Sequence, residues 1–221
     1  MLFRILVVDD DALVRSALAM VLGGAAGICL VAEATDGDEV PAAVDADTPD
    51  VVLMDIRMPR MDGLTATEML RRRQQPPEVI VLTAFHADDQ VLHALRAGAS
   101  GFLRKETPPG DIVAAIRRVA AGEAMLASVI RQLIAPVAES EFPRAAHNPR
   151  QQRAAALLDR LSDREREVAL AVGRGMSNAQ IAGDLYMSVA TVKAQVSRTL
   201  TKLDLDNRVQ VALLAHEAGL I

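Results

Sequence analysis

The sequence predicts a doubly wound α/β domain on a five-stranded parallel sheet, followed by a small all-α domain. Three observations carry that prediction. Through the first ~120 residues, short runs rich in Val, Ile and Leu alternate with amphipathic stretches, the pattern of buried parallel strands connected by helices. Four of the five runs end in polar side chains: Asp9 and Asp10, then Asp55, Thr83 and Lys105. From residue 151 onward the periodicity is helical, with no strand alternation.

Residues 4–8 (RILVV) read as the first strand, and three acids follow, Asp9, Asp10 and Asp11. An amphipathic helix comes next, with Leu13, Ala17, Met20 and Val21 as an apolar stripe of which core packing claims most; it stops at Gly23 and Gly24. Residues 28–32 are the second strand, and Asp36 and Gly37 turn into a helix over 39–44. The third strand, residues 51–55, is an apolar run ending in Asp55. Pro59 and Gly63 then impose a loop before the next helix, whose periodic positions are Leu64, Thr67, Met69 and Leu70. Arg71, Arg72 and Arg73 read as a solvated helix end, favourable near the C-terminal dipole, and Pro76 and Pro77 stop the chain there.

Residues 79–82 form the fourth strand, ending at Thr83, and a helix over 89–96 stops at Gly98. Residues 101–104 form the fifth strand, with Lys105 at its end. Thr107 followed by Pro108 reads as a capping hydroxyl and a proline at the first helical position, opening a helix with the stripe Ile112, Val113, Ile116 and Val119. Residues 122–153 read as a linker. A short helix fits 128–133, and Pro136, Pro143 and Pro149 oppose regular structure beyond it.

In the C-terminal part, Ser162 and Glu165 form a capping box. The helix they open buries Val168, Leu170 or Ala171, and Val172. Ser177 caps a second helix with Ile181, Ala182 and Leu185 inward. The turn Tyr186, Met187, Ser188 leads to a helix over 189–203 with Val192, Val196, Leu200 and Leu203 inward, and Thr191, Lys193, Gln195, Ser197, Arg198 and Lys202 on its other face. A last helix over 208–218 carries Val209, Val211, Ala212, Leu213 and Leu214.

Composition narrows the function classes. The chain is 51% hydrophobic and 24% charged, enough to build cores. Aromatics are 2%, which argues against stacking of unpaired bases. The single cysteine, Cys29, sits in the apolar run ICLVAEA and reads as a buried, inert thiol; no disulfide forms within the chain. No leader pattern and no uncharged run near ~18 residues is visible, so a cytoplasmic protein without a membrane role is expected. The first 135 residues hold 13 Lys and Arg against 19 Asp and Glu, net −6; residues 151–221 hold 9 against 8, net +1. Any DNA-binding face must therefore concentrate its few basic groups.

Strands of a parallel sheet point one way, so the polar strand ends converge on one edge. Alone, Asp55 equally fits a turn cap. Together, three carboxylates repel each other unless a hard dication neutralises them, and Mg²⁺ suits that role. Lys105 adds a point charge for an anionic oxygen, and Thr83 a hydroxyl. A carboxylate so surrounded can attack phosphorus and hold the acyl phosphate. In the C-terminal part, two helices joined by a tight turn, with Lys, Arg and Gln on the second, suit a major-groove reader; a small bundle docking another protein fits the helix pattern equally well.

LVVDDDALVR, VVLMDIRMPRMDG, VIVLTAF and GFLRK, in that order and spacing, resemble the receiver domain of bacterial two-component response regulators, a flavodoxin-like fold, over residues 2–121. The resemblance implies that Asp55 is the phosphoacceptor, that Asp9, Asp10 and Asp55 with the Arg57 backbone carbonyl bind Mg²⁺, and that Thr83 and Lys105 contact the phosphoryl group. Phe102 takes the place of the aromatic that turns inward when Thr83 moves. Glu106 stands where many receivers have proline.

LSDREREV and GMSNAQIAGDLYMSVATVKAQVSRTLTKL resemble the LuxR-type helix-turn-helix domain, within residues 154–220. That implies DNA contacts from Thr191, Lys193, Ala194, Gln195, Ser197, Arg198 and Lys202. Val189, where the family often has an acid, and Ala194 with Gln195, where it often has His or Asn-His, bear on sequence preference. The two halves together resemble a NarL/FixJ-type response regulator. Such a protein is expected to be a non-enzymatic transcriptional regulator, phosphorylated by a histidine kinase. It is further expected to dimerise on phosphorylation over an inverted-repeat operator in double-stranded DNA, with RNA polymerase as a further partner. Two other classes stay open: an enzyme with an aspartyl-phosphate intermediate, although such phosphatases need Asp where Arg57 stands, and a phospho-gated protein-binding adaptor with no direct DNA role.

Overall fold

The computed structural model describes residues 2–83, 88–122 and 149–221. It divides into two compact units, Met1–Met125 and Leu126–Ile221. Most of the expected linker, including the short helix at 128–133, lies outside the described residues.

The first unit alternates strands and helices: β1 Phe3–Val8, α1 Ala12–Gly23, β2 Ile28–Ala34, α2 Val40–Asp47, β3 Val51–Asp55, α3 Gly63–Arg71, β4 Glu78–Thr83, α4 Asp88–Arg96, β5 Gly101–Arg104 and α5 Pro109–Ala120. The strands pair in parallel in the order β2-β1-β3-β4-β5. The apolar runs have no polar alternation because helices cover both faces of the sheet. Ile5, Val7, Val51, Leu53, Ile80 and Leu82 pack on one face with Leu18 and Leu22 of α1 and Ile112 and Ile116 of α5. Leu6, Val8, Val52, Met54, Val79 and Val81 pack on the other with Val40 and Val44 of α2, Ala66 and Leu70 of α3 and Ala94 of α4. Strand order reverses between β1 and β3, which makes their carboxyl ends the topological switch point.

Four local expectations are corrected. On α1, Leu13 and Met20 are each 80% exposed and Ala17 is exposed too, while Leu18 and Leu22 are buried and Val14 packs against the core. The helix carries two apolar rows offset by one residue, and only the sheet beneath decides between them. Arg71 is not a solvated charge: it is buried, and its guanidinium donates to Gly98 O at 2.7 Å, Ser100 Oγ at 3.0 Å and Glu78 Oε2 at 3.2 Å. The side chain of Thr107 does not cap α5, which begins one residue later, after Pro108, with no side-chain cap. Cys29 is half-buried rather than enclosed.

The second unit is wholly helical: α6 Pro149–Leu158, α7 Asp163–Gly173, α8 Asn178–Asp184, α9 Val189–Leu203 and α10 Arg208–Glu217. α6 starts inside the stretch expected as linker, since proline is tolerated in the first turn, where its missing N–H has no partner to lose. Ser162 with Glu165 and Ser177 with Gln180 form reciprocal capping boxes on α7 and α8. Val168, Val172, Ile181, Val192, Leu203 and Val209 form the centre, and Ala171 rather than Leu170 faces inward. Thr199 of α9 is buried as well, while Val196 and Leu200 lie half-buried. The buried Arg208 donates to Asn178 Oδ1 at 3.1 Å and to Met176 O at 2.7 Å, fastening α10 to the start of α8.

Two leucines on one helix test the assignment of its inner face. Leu18→Ala should cost the first unit about 2–5 kcal/mol through loss of contacts and a residual cavity. Leu13→Ala should stay within about 0.5 kcal/mol of zero. Urea unfolding of the two variants, read from the transition of the first unit, reports the difference.

Candidate functional site

At the switch point, Asp9 follows β1 and Asp55 ends β3, on strands paired directly in the sheet. Asp9, Asp10 and Asp55 each bring a carboxylate oxygen within 4.8 Å of the others. Asp9 and Asp55 are buried and Asp10 is exposed. The third acid of the run also caps α1, since Asp11 Oδ1 accepts from Leu13 N at 2.8 Å. Its own N–H donates to Asp9 Oδ1 at 3.0 Å, and Ile56 N donates to Asp55 Oδ1 at 2.9 Å, so each buried carboxylate is oriented by backbone.

Lys105 N donates to Thr83 O at 2.9 Å, which sets the lysine at the end of β5. Its Nζ lies 2.7 Å from Asp9 Oδ2 and 3.2 Å from Asp55 Oδ2. A cavity of about 350 Å³ opens beside these groups, lined by Asp10, Asp11, Asp55, Ile56, Arg57, Thr83, Gln90 and Lys105. Phe102 is half-buried on β5, opposite Val81 and packed against the α2–α3–α4 side of the core, and it does not line the cavity. Gln90 had no signal in the sequence; it reaches the cavity because α4 begins beside the end of β4. The peptide bonds around Lys105 and Glu106 are trans.

Three carboxylates against one ammonium leave the cluster two negative charges in excess, and all its free donors are oxygens. That donor set fits a hard dication with room for water and phosphate oxygens. Burial pushes the Asp55 carboxyl above its usual range and the Asp9 carboxylate adds to this, while the Lys105 ammonium opposes it. Burial works against the Lys105 charge, but its bonds to Asp9 and Asp55 hold its pKa above the usual lysine value.

A folded-state pKa above the unfolded one means that ionised Asp55 destabilises the apo fold, and the cost grows as pH rises through the carboxylate range toward the raised value. Without divalent cations at neutral pH, Asp55→Asn should therefore raise the Tm of the first unit by a few degrees. The gain should fade as pH drops below the carboxylate range. Calorimetric scans across pH check both statements.

The second unit presents a different surface. α8 and α9 are joined by the short turn Leu185 to Ser188, and Ser188 caps α9 by accepting from Thr191 N at 3.0 Å. Thr191, Lys193, Ala194, Ser197 and Arg198 are exposed along α9, and Gln195 is half-buried. The Thr191 hydroxyl shares a hydrogen bond with the Ser188 hydroxyl at 2.8 Å. Lys202 is exposed, but its ammonium is bound 2.8 Å from Glu165 Oε2. That bond, with the Ser162 N–H and hydroxyl, pulls the Glu165 carboxyl down to about 2. Tyr186, expected only as part of a turn, has φ 52° and is 96% exposed next to α9.

Comparison with known proteins agrees with this geometry in both halves. Residues 5–117 match the family described as response regulator receiver domain, and residues 159–215 match bacterial regulatory proteins, luxR family. The transcriptional regulatory protein LiaR of Bacillus subtilis is 36% identical over 221 residues, all of both chains. The response regulator protein VraR of Staphylococcus aureus is 33% identical over 221 residues, again all of both. The crystal structure of ChrA, a response regulator in a heme-sensing two-component system, is 32% identical, covers 100% of this chain and 99% of its own, and superposes with a TM-score of 0.52. Among the described residues no helix is long and apolar enough to cross a membrane. A receiver sheet with an acidic switch point, then a helix-turn-helix unit, with relatives matched along their full length: the chain belongs to the LuxR family of two-component response regulators, DNA-binding regulators of transcription.

Proposed function

We propose that Asp55 accepts a phosphoryl group from a partner histidine kinase and that its phosphorylation controls DNA binding through α9. The observation that carries this reading is the meeting of Asp9, Asp10, Asp55 and Lys105 beside one open cavity. In this reading the receiver spans 2–121, the linker 122–153 and the DNA-binding domain 154–220. Asp9, Asp10 and Asp55, with the Arg57 backbone carbonyl, hold Mg²⁺, which when bound neutralises charge on the phosphoryl oxygens.

An Asp55 carboxylate oxygen forms the bond to phosphorus as the P–N bond to the donor imidazole breaks, leaving an acyl phosphate on the chain. Lys105 exchanges its carboxylate partners for a phosphoryl oxygen, and Thr83 donates its hydroxyl to another. The residue two after Asp55 is Arg57, where an aspartyl-phosphate phosphatase carries an acid, so beyond accepting the phosphoryl group the chain at most hydrolyses its own acyl phosphate. Thr83 and Phe102 pass the change to the rest of the receiver. Phosphorylation shifts this equilibrium only by as much as it stabilises one state over the other.

Thr191, Lys193, Ala194, Gln195, Ser197, Arg198 and Lys202 form the DNA-facing row, and Lys202 also pairs with Glu165 within the domain. With a net charge of +1 this unit binds DNA weakly by itself. Two copies on half-sites about one helical turn apart supply the affinity, so a dimer forms on phosphorylation over an inverted repeat. RNA polymerase is the further partner of such a regulator, and with these partners its work lies in the cytoplasm.

A gel shift on genomic fragments, with and without Mg²⁺ and acetyl phosphate, separates this reading from a phospho-gated adaptor. Phosphodonor should lower the protein concentration needed for a shift, and Asp55→Asn should not respond. Lys193→Ala should weaken binding by about 1–3 kcal/mol with relaxed specificity at one base pair if it reads a base, or flatten the salt slope by about one if it holds a phosphate. Absence of any shift under all conditions favours the adaptor.

A further inference from the structure

Between Asp55 and α3 runs the irregular segment 56–62, which carries Arg57 past the cavity. One end is fixed near the site, where Gly63 N donates to Ile56 O at 2.9 Å. The other end is held from outside the site. Asp36, after β2, is 1% exposed. Its Oδ2 accepts from Arg60 N at 2.9 Å and its Oδ1 from Met61 N at 2.8 Å. The Arg60 guanidinium folds back over the same turn, 3.5 Å from Asp36, 3.0 Å from Asp38 and 2.7 Å from Glu39. Glu39 in turn accepts from Thr35 N and Thr35 Oγ1, both at 2.8 Å. Gly37 completes the fit: a Cβ there would lie 2.5 Å from Met61 O, so any larger residue drives the segment away.

A buried carboxylate with both oxygens on consecutive backbone N–H groups fixes the turn that carries them. Burial alone would raise the Asp36 pKa, but the N–H groups of Arg60, Met61 and Asp38 and the Arg60 charge hold it below the usual range, so it stays ionised. We infer that Asp36 is a positioning residue for the cation site, holding segment 56–62 so that the Arg57 carbonyl is presented to the metal. The inference rests on the reading of Asp9, Asp10, Asp55 and Arg57 as the cation ligands. Mg²⁺ tolerates little departure from octahedral geometry, and a carbonyl on irregular backbone is only as well placed as the segment that carries it. Side chains that orient ligands from behind typically change metal affinity by about 10–100-fold when removed. Asp36 touches none of the cation ligands among its bonds above, and acts only through Arg60 and Met61.

Calorimetric Mg²⁺ titration of the full chain tests this, with hydrogen exchange at the Arg60 and Met61 amides measured on the same samples. Asp36→Ala should raise the Mg²⁺ Kd about 10–100-fold and speed exchange at both amides. Asp55 labelling by acetyl phosphate should recover at saturating Mg²⁺. Gly37→Ala, which pushes on Met61 from the other side, should move the Kd in the same direction. If Asp36→Ala fails to fold, Asp36→Asn, with the same volume and one acceptor lost, carries the test and should raise the Kd at least about threefold. A merely structural Asp36 lowers Tm and leaves the Kd unchanged, and that outcome overturns the inference. Asp10→Asn is the control for the underlying reading. If it too binds Mg²⁺ like the wild type, the ligand assignment fails; if only the Asp36 and Gly37 variants bind normally, the ligands stand and the positioning role is wrong.

Discussion

Lys105 holds its ammonium 2.7 Å from Asp9 and 3.2 Å from Asp55, two carboxylates that the sheet buries at the ends of neighbouring strands. Burial disfavours the charged form of the Asp55 carboxyl, and the ammonium opposes that effect. One ammonium does not balance three carboxylates. The remaining charge and the all-oxygen donor set fit a hard dication. The parallel sheet matters because it brings the ends of β1, β3, β4 and β5 to one edge, with Asp9, Asp10 and Lys105 directly after their strands. Strand β3 is buried from end to end and ends in Asp55.

Much of this was legible in the chain itself. Parallel strands covered on both faces read as unbroken apolar runs, so residues 51–55 and 101–104 were placed to the residue. Strand-end residues are few and chemically loud, so Asp9, Asp10, Asp55, Thr83 and Lys105 could be grouped from the sequence alone. Capping boxes such as Ser162 with Glu165 are local and readable for the same reason. What failed depended on partners distant in sequence. The inner face of α1 is chosen by the sheet rather than by its own period. Arg71 reads as a surface charge until Gly98 and Ser100 fold over it. The ion pair that joins Lys202 to Glu165, 37 residues earlier, has no local signature either.

Asp36 illustrates the same limit at the site. An Asp before Gly reads as a turn, and here it is one, but the turn's carboxylate reaches 24 and 25 residues along the chain to hold the segment beside Asp55. Most residues that touch the cavity were therefore visible in the sequence, Gln90 excepted, and the bonds behind them were not. In the helical unit the balance is similar. The exposed row on α9 follows from its period, whereas the Arg208 bonds that set α8 against α10 have no signature in the sequence.

The central claim is that the carboxylate beside Lys105 at the end of β3 is the group that takes the phosphoryl. The most direct measurement is reductive trapping: the full chain is loaded with Mg²⁺ and acetyl phosphate, the acyl phosphate is reduced with borohydride, and peptides are mapped by mass. The account predicts a reduced side chain at position 55 and at no other acid. Reduction at Asp9 or Asp10, or uptake of phosphate with position 55 intact, would contradict it.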